Sequence, residues 1–372
     1  MQQNLHRRQF IKKSVAAAGA GVALTSALAA PAIAQNRQKW KMVTCWPANL
    51  PGLGTGSEYF AKAVTRASGG RLEVQVYPAG EIVPAYEAVD AVGSGVAEMG
   101  HGTPYYWKGK APAGQILGGF PMGPTAQEYN AWYHFGGGSD LCDHLYREVF
   151  NCKFLVCGNT GVQHPGWSTK EVNTLADFKG LKVRMAGIGG EVMSRLGATV
   201  VNLPGGEVAG ALASGAIDWV EWNNPYGEAS MGFWRYAKYY YTPGWHEPGS
   251  TLDLFINAKK WDGLDEDLKG IVEYCAYATN QMVLCEFQAR SGPVLESFVK
   301  DHKVVIKELS DEILVEVGRL SGQAIQDLIS SDPMAAKIFK SMIAFRNQQV
   351  RYTDTAEGAY LRARALKYPF PA

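Results

Sequence analysis

Polar side chains with cationic or oxygen-rich groups stand at the predicted ends of strands near the middle of the chain. Arg184 ends a short apolar run and precedes a glycine-rich segment, where its guanidinium could hold a carboxylate through two parallel hydrogen bonds. Glu221 lies among tryptophans, so we expect its carboxylate to be shielded from water and to need a partner. A second carboxylate at Glu247 and an amide oxygen at Gln163 would complete a set that suits a hard cation, with room for an anionic ligand. A surface arginine in a salt bridge is the alternative for Arg184.

Motifs of the common enzyme classes are absent from the sequence. It contains no G-x-S-x-G, no H-E-x-x-H and no Walker A pattern. The histidines are scattered, which is typical of structural roles. We therefore expect a binding protein and no enzyme. The alternative is a lyase or hydrolase that uses Glu221 and Glu247 at a catalytic cation, with His101 or His246 as general base.

Composition narrows the class of protein further. The 372 residues are 47% hydrophobic and 19% charged, which is typical of a packed globule with one large domain or two. There are 36 basic and 35 acidic residues, without a basic run beyond the first 13, so nucleic acid is not an expected partner. The six cysteines form no C-x-x-C pattern, and buried free thiols are favoured over disulfides. A zinc site of Cys142, His144 and Cys152 would fit no common spacing.

The first 34 residues are predicted to be a cleaved export signal. Arg7 and Arg8 precede an alanine-rich apolar stretch that contains no acidic residue and ends in an A-x-A pattern at residues 32–34. The paired arginines are similar to those of twin-arginine signals. We therefore expect export to the periplasm, with an uncleaved membrane anchor as the alternative.

The mature chain begins with a strand, a helix and a strand at the spacing of a βαβ unit. Further along, a helix that ends at Ser94-Gly95 and is followed at once by a strand has a counterpart that ends at Ser214-Gly215, with Tyr106 and Tyr226 at equivalent offsets. Two similar lobes that present strand ends to a shared crevice would explain this repeat, and coincidence is the alternative. The predicted strands cover 40–46, 72–77, 153–156, 181–184 and 253–256, and the predicted helices cover 58–67 behind an N-cap at Ser57, 191–196, 265–291, 311–329 and the chain after Pro333.

Four segments taken together resemble the periplasmic substrate-binding subunits of tripartite ATP-independent periplasmic (TRAP) transporters. Within that family, the resemblance is to the branch that binds 2-oxo acids such as pyruvate together with a metal ion. It extends over nearly the whole mature chain. The segments are Gly158-Asn-Thr-Gly-Val-Gln163, Gly180-Leu-Lys-Val-Arg184, Ala213-Ser-Gly-Ala-Ile-Asp-Trp-Val-Glu-Trp222 and Tyr240-Tyr-Thr-Pro-Gly-Trp-His-Glu247.

The resemblance implies an α/β fold with two lobes, mixed sheets, a long connecting helix and C-terminal helices. Residues 35–157 and 247–285 would form lobe I, and residues 158–246 and 286–332 would form lobe II. Residues 333–372 would form a C-terminal helix that dimers of the family exchange, so a homodimer is expected. The protein would deliver its ligand to the membrane subunits of a TRAP transporter.

The resemblance also implies roles for individual residues. Arg184 would bind the carboxylate of the substrate as a bidentate pair, and Asn159 and Tyr106 would add hydrogen bonds to it. The ligand would chelate a cation through its carboxylate and 2-oxygen, so that metal and substrate bind as a unit. That cation would be sodium, or calcium as in a lactate-binding relative. Its protein ligands would be Gln163, Glu221, the main-chain carbonyl of Trp222 and Glu247, and Gln163 and Glu247 would also border the substrate.

Two segments depart from the pattern of the family. The stretch that begins at Pro104 and the pair Asn223-Asn224 both flank the expected pocket, so the preference for the ligand's side chain stays open. Three other functions also stay open at this point. They are a calcium-dependent lactate receptor, a metal-dependent enzyme that acts on a 2-oxo or 2-hydroxy acid, and a sugar receptor.

Overall fold

A computed structural model describes residues 37–369, so the predicted signal at 1–34 lies outside the described residues. The strands form two mixed sheets with the orders β2-β1-β3-β10-β4 and β11-β9-β5-β8-β6-β7. This arrangement agrees with the α/β class and the mixed sheets that were predicted. None of the helices in residues 37–369 is both long and apolar enough to cross a membrane.

The first sheet contains parallel and antiparallel neighbours. Strands β1 and β3 run parallel, and β10 runs antiparallel to both β3 and β4. Every residue of β10 is buried, because β10 lies inside the sheet between β3 and β4 and helices pack on the sheet. The bounds are β1 Gln38–Thr44, β2 Leu72–Tyr77, β3 Met99–Gly102, β4 Cys152–Asn159 and β10 Thr251–Asn257.

The second sheet is built from shorter strands. Strands β8, β6 and β7 run parallel to one another, whereas β5 runs antiparallel to β8 and β9, and β11 runs parallel to β9. The carboxyl ends of β6 and β8 therefore meet at one edge of the sheet, where Arg184 and Glu221 lie. The bounds are β5 Gly166–Ser168, β6 Lys182–Arg184, β7 Thr199–Val201, β8 Trp219–Val220, β9 Tyr239–Thr242 and β11 Val305–Glu308.

Helices pack around both sheets, and several begin at side-chain caps. Thr125 forms a capping box with Glu128, and Asp332 accepts hydrogen bonds from the main-chain N–H groups of Met334 and Ala335. The helix bounds are α1 Gly54–Ala67, α2 Ala88–Gly93, α3 Gly114–Leu117, α4 Ala126–Phe135, α5 Gly138–Phe150, α6 Gly187–Arg195, α7 Gly205–Ala213, α8 Pro225–Met231, α9 Ala258–Asp262, α10 Glu266–Lys300, α11 Asp311–Ser331, α12 Pro333–Thr353 and α13 Ala359–Arg364.

Helix α10 and two crossing segments of the chain connect the sheets. The chain leaves the first sheet after β4 to enter β5, and it returns from β9 to β10. Helix α10 has 35 residues and packs on β4 and α1 as well as on α8. The prediction that this helix stops at Ser291 is wrong. It continues through Pro293 to Lys300, where the buried Phe298 packs edge-on against Trp167 of β5.

Helix α1 begins four residues before its predicted start. The prediction took the glycines before Ser57 as a turn, but Gly54 and Gly56 are already helical. A Cβ atom on Gly56 would lie 2.7 Å from Val283 of α10, so this glycine permits close packing of two helices. Ser57 is not the N-cap, and its hydroxyl donates to the carbonyl of Leu53 within the helix (3.1 Å).

Other predicted boundaries also shift. Strand β1 covers 38–44 in place of 40–46, and β4 extends to 152–159. Helix α6 begins at Gly187 in place of Glu191, inside the glycine-rich segment that follows Arg184. All six cysteines are free, as expected, but only four are buried. Cys285 of α10 is exposed, and Cys275 of the same helix is half-buried against the core beside Val272 and Ala276.

Helix α12 packs against the rest of the protein along only part of its own length. Ala335, Ile338 and Met342 are buried against α3, α4 and α5. Phe345, which follows, is half-buried, whereas Tyr352 near the end of α12 and Tyr360 in α13 are 70% and 64% accessible. The first half of α12 therefore packs on its own chain, and the aromatic side chains near and beyond its end are exposed.

Candidate ligand and cation site

A narrow cavity lies where strand ends of the two sheets approach each other. About 10 Å³ of it is open to the centre of a water molecule, which is room for one water. A carboxylate ligand can therefore enter only when the walls of the cavity move apart. The lining residues are Trp46, Leu53, Tyr105, Tyr106, Thr160, Gln163, Arg184, Trp222, Asn223, Ser250 and Leu252.

Arg184 forms one wall of this cavity and is 1% exposed, so it is not a surface arginine. Its Nη1 donates to the Oε2 atom of Glu221 (2.9 Å) and to the main-chain carbonyl of Glu221 (2.5 Å). The guanidinium carbon lies 4.9 Å from the centroid of the Trp222 ring, in a cation–π arrangement. Burial opposes the charge, but the nearby Glu221 and tyrosine side chains raise the pKa of Arg184. The guanidinium is therefore held by Glu221 in an environment that is shielded from water.

Glu221 and Glu247 are both 2% exposed but differ in their surroundings. Burial alone would raise the pKa of Glu221, but His246 and Arg184 lower it below its usual value. Burial and the negative charge of Glu221 raise the pKa of Glu247. The Oε2 atom of Glu247 accepts hydrogen bonds from Gln163 Nε2 (2.8 Å) and Tyr105 Oη (3.4 Å), which are both neutral donors.

The donor atoms at this wall fit a bound cation. Ligand atoms of Glu221, His246 and Glu247 lie within 4.8 Å of one another. The Oε1 atom of Gln163 is buried without a hydrogen-bond partner, whereas its Nε2 donates to Glu247 and to Thr160 Oγ1 (3.0 Å). Two carboxylates and an orphaned amide oxygen match the preference of hard cations for oxygen. Within residues 37–369 this is the one such cluster, so the alternative zinc site around Cys142 is not formed.

His246 is a member of this cluster that sequence reasoning considered only as a base for the rival enzyme. Its side chain is fully buried, neither ring nitrogen has a hydrogen-bond partner, and Nε2 lies 3.5 Å from Glu221 Oε1. His101 has a structural role, because its Nδ1 accepts a hydrogen bond from Trp46 Nε1 (2.8 Å). The one sequence signal for His246 is its position beside Glu247.

The remaining predicted site residues occupy different positions. Tyr106 lines the cavity, with its ring 4.7 Å from that of Tyr86. Asn159 is buried at the end of β4, where its Oδ1 accepts from the N–H of Gly161 (2.9 Å) and its Nδ2 has no partner, but it does not line the cavity. Tyr226, the counterpart of Tyr106 in the sequence repeat, donates instead to Glu286 on α10 (2.9 Å).

Tyr105 is a residue of the site that the sequence did not indicate. It lines the cavity, and its hydroxyl lies 3.4 Å from Glu247 and 3.3 Å from Ser250 Oγ. Tyr105 and Tyr106 are neighbours on a single 3₁₀ turn, Pro104–Trp107. The sequence could identify the aromatic turn, but it could not show which of the two rings reaches the carboxylate.

Comparisons with known proteins agree on one family. The family model described as bacterial extracellular solute-binding protein, family 7, matches residues 42–331. The monocarboxylate 2-oxoacid-binding periplasmic protein of Nostoc sp. (strain PCC 7120) is 36% identical over 322 residues, which cover 87% of this chain and 88% of the relative.

Solved structures give the same result. A TRAP periplasmic solute binding protein from Pseudoalteromonas atlantica T6c, with bound sodium and pyruvate, has a TM-score of 0.85 and 33% identity, over 89% of this chain and 100% of that chain. Another from Colwellia psychrerythraea, with bound calcium and pyruvate, has a TM-score of 0.85 and 34% identity, over 88% of this chain and 99% of that chain.

Proposed function

This chain belongs to family 7 of the bacterial extracellular solute-binding proteins, the receptors of TRAP transporters, and we propose that it captures a small 2-oxo monocarboxylate together with a cation. The family binds solutes in the periplasm, so the expected absence of enzymatic activity is confirmed by family membership. The observation that carries the proposal is the buried Arg184 beside Glu221, Glu247 and the unpartnered oxygen of Gln163.

Arg184 would hold the carboxylate of the ligand, with Tyr106 as a further donor. Asn159 lies outside the cavity, and its unpartnered Nδ2 would donate to the ligand only after the cavity widens. Because Nη1 of Arg184 already binds Glu221, the guanidinium would bridge a protein carboxylate and a ligand carboxylate. A sugar lacks the charge that this fork would neutralise. The buried arginine therefore favours a carboxylate over a sugar.

The cation would lie between the two buried carboxylates. Its protein ligands would be Gln163 Oε1, Glu221, the main-chain carbonyl of Trp222 and Glu247, and the ligand would complete the shell through its carboxylate and 2-oxygen. The two carboxylates, the arginine and the ligand carboxylate together would carry two net negative charges, which a sodium ion would balance in part and a calcium ion in full. We propose sodium, with calcium as the alternative, since the relatives named above were solved with either ion beside pyruvate.

Capture would occur by closure of two lobes over the cavity. We propose that residues 35–157 and 247–285 form lobe I and that residues 158–246 and 286–332 form lobe II. Ligand and cation would stabilise the closed arrangement, because both bind groups from each lobe. We further propose that export uses the twin-arginine route, that the C-terminal helix of residues 333–372 joins two copies, and that membrane subunits of a TRAP transporter receive the ligand.

Calorimetric titration of chelator-stripped protein tests this function. Pyruvate, 2-oxobutyrate, 4-methyl-2-oxopentanoate, lactate and a sugar would each be titrated with and without sodium or calcium. We expect one-site binding of a 2-oxo acid that strengthens with the cation. Affinity should fall about a hundredfold or more in Arg184→Ala and Glu221→Gln, because each leaves a buried charge without its partner. Absence of binding to every carboxylate would overturn the proposal, and turnover of a 2-oxo acid would favour the enzyme.

A further inference from the structure

The segment that follows β8 provides two hydrogen-bond donors that the proposed ligand contacts leave unused. Trp222 and Asn223 both line the cavity and are 5% and 1% exposed. Trp222 Nε1 and Asn223 Nδ2 are buried without a hydrogen-bond partner. A buried donor without a partner is costly, so such groups mark a place where a ligand atom completes the hydrogen bonding.

The orientation of the Asn223 amide is fixed by its neighbours. Its Oδ1 accepts a hydrogen bond from the main-chain N–H of Asn224 (2.6 Å), which leaves Nδ2 as the free end of the amide. The main-chain carbonyl of Asn223 accepts from the N–H of His164 (2.9 Å), in the crossing segment that also carries Gln163. The side chain is thus tied to the proposed cation site by main-chain contacts.

Helix α8 packs directly against this amide. A Cβ atom on Gly227 would lie 2.5 Å from Asn223 Oδ1 and 2.7 Å from Nδ2, so a glycine is needed beneath the amide. The next residue, Glu228, is fully buried and accepts the main-chain N–H of Asn223 at Oε1 (3.2 Å). Its Oε2 accepts from Trp167 Nε1 (3.0 Å) and Tyr240 Oη (2.6 Å), which anchor it to the second sheet.

The oxygens of a simple 2-oxo acid are already assigned. In the proposed function, which this inference rests on, the cation takes one carboxylate oxygen and the 2-oxygen, and Arg184 takes the carboxylate. Asn159 and Tyr106 supply further donors to the same atoms. The donors of Trp222 and Asn223 then have no acceptor on pyruvate. A ligand with one more oxygen would satisfy them.

We infer that Asn223 is a specificity-determining residue whose Nδ2–H group donates to an oxygen on the ligand chain beyond the 2-oxo group. The preferred ligand class is therefore the hydroxylated 2-oxo acids. Glu228 and Gly227 are positioning residues for that amide. A site that is built to donate a hydrogen bond discriminates strongly against a ligand that lacks the acceptor, because its buried donor is then left unpaired.

The test compares 3-hydroxypyruvate with 2-oxobutyrate, which have the same number of non-hydrogen atoms and differ by a hydroxyl in place of a methyl group. Both are titrated into the full chain in the presence of sodium or calcium. We expect 3-hydroxypyruvate to bind about 10- to 100-fold more tightly, the effect of one buried hydrogen bond. Asn223→Leu has a similar shape but neither donates to the ligand hydroxyl nor accepts from it, so it should bring this ratio close to one.

The ratio of the two affinities separates a specificity role of Asn223 from a structural role, because damage to the fold or to cation binding would lower both affinities together. Gly227→Ala should also reduce the ratio, because it displaces the amide. The matched control is Ser291→Ala, which removes a hydrogen bond to Asn224 Oδ1 (3.2 Å) outside the cavity and should leave the ratio unchanged.

Each outcome decides the inference. A ratio near one in the native chain, or a high ratio that survives in Asn223→Leu, would overturn it and leave the proposed function standing. Absence of binding by both acids and by pyruvate would overturn the proposed function as well. If Asn223→Leu fails to fold, the ratio in the native chain and in Gly227→Ala decides.

Discussion

Glu221 and Glu247 are buried to the same degree beside one cavity, but their charges are stabilised by different means. Glu221 binds Arg184 and lies near His246, and its pKa is lowered. Glu247 accepts hydrogen bonds from the neutral side chains of Gln163 and Tyr105, and its pKa is raised. The difference shows that the protein itself provides a cation for only one of the two carboxylates. The charge of Glu247 is the one that a bound metal ion would compensate.

Removal of Arg184 should have the largest effect, because it abolishes the difference between the two carboxylates. In Arg184→Ala, Glu221 becomes a second buried carboxylate without a cation. The free energy of unfolding should fall by about 3–5 kcal/mol at neutral pH, the loss observed when one partner of a buried ion pair is removed. Urea unfolding followed by circular dichroism measures this change.

Two variants show whether the geometry or the charge of the Arg184 side chain is responsible for the loss of stability. Arg184→Lys keeps the charge but loses the planar fork, so its stability should lie between the native chain and Arg184→Ala. Arg195→Ala removes the more exposed ion pairs with Glu191 and Asp327 and should change stability by less than about 1 kcal/mol. Equal effects of Arg184→Ala and Arg195→Ala would contradict the importance given to burial.

Neutralising each carboxylate in turn should give changes of opposite sign when no cation is added. Glu221→Gln leaves Arg184 buried without its anion and should lower the free energy of unfolding by about 2–3 kcal/mol. Glu247→Gln removes a buried charge that has neutral donors only and should raise it by about 1 kcal/mol. Thermal unfolding of both variants in chelator-treated buffer provides the comparison.

Addition of sodium or calcium gives the corresponding control. The native chain should gain stability from the cation, whereas both glutamine variants should gain less, since each loses a ligand. Destabilisation of the same size in both variants without cation would mean that the two carboxylates are equivalent after all.

The contrast between the two carboxylates was only partly visible in the sequence. A strand that ends at Arg184 and an acidic residue among tryptophans were enough to predict a guanidinium and a shielded carboxylate at strand ends, but a surface salt bridge stayed open for Arg184. That Arg184 already binds Glu221 depends on the parallel pairing of β6 with β8, which brings their ends together. Tyr105 and His246 were not predicted as ligand-binding residues. Each is next in the sequence to a residue that was predicted, and the sequence does not show which of the two neighbours faces the cavity.

The fold was predictable to a similar extent, and for a similar reason. Alternating apolar residues located most strands and helices, since that period depends on local sequence. The start of α1 and the end of α10 were wrong, because distant contacts decide them. Gly56 packs on Val283, and Phe298 packs on Trp167, so glycine and proline occur inside helices where local preference predicts an end.

Asp253 is a third buried carboxylate, and it lies away from the proposed cation site. We expect its burial among neutral donors to raise its pKa, as it does for Glu247. Asp253 accepts hydrogen bonds from Tyr146 Oη and from Trp107 Nε1 (3.5 Å), both neutral, and burial raises its pKa from 3.8 to about 7. Between these values the native state binds more protons than the unfolded state. The free energy of unfolding attributable to Asp253 therefore falls as the pH rises through this window.

Asp253→Asn should remove this dependence on pH. The variant should match the native chain near pH 4 and exceed its free energy of unfolding by about 1–2 kcal/mol at pH 8. Urea unfolding at pH 4, 5, 6, 7 and 8 measures the slope. Asp267→Asn is the opposite control, because contact with Arg71 lowers the pKa of Asp267, and its removal should not stabilise the protein at pH 8. A native slope that persists in Asp253→Asn would assign it to another group.

Replacement of His246 should have the smallest effect on stability. It should also show whether His246 orients Glu221 or binds the same cation. The Nε2 atom of His246 lies 3.5 Å from Glu221 Oε1, whereas Arg184 Nη1 lies 2.9 Å from Oε2. If His246 supports Glu221 only by orienting it, His246→Gln should lower the free energy of unfolding by about 1 kcal/mol and leave the order of cation affinities unchanged. If His246 is instead a ligand, its nitrogen favours cobalt or nickel over calcium, and that preference should disappear in the variant. Titration of native chain and variant with calcium and cobalt therefore separates a residue that orients Glu221 from one that shares its cation.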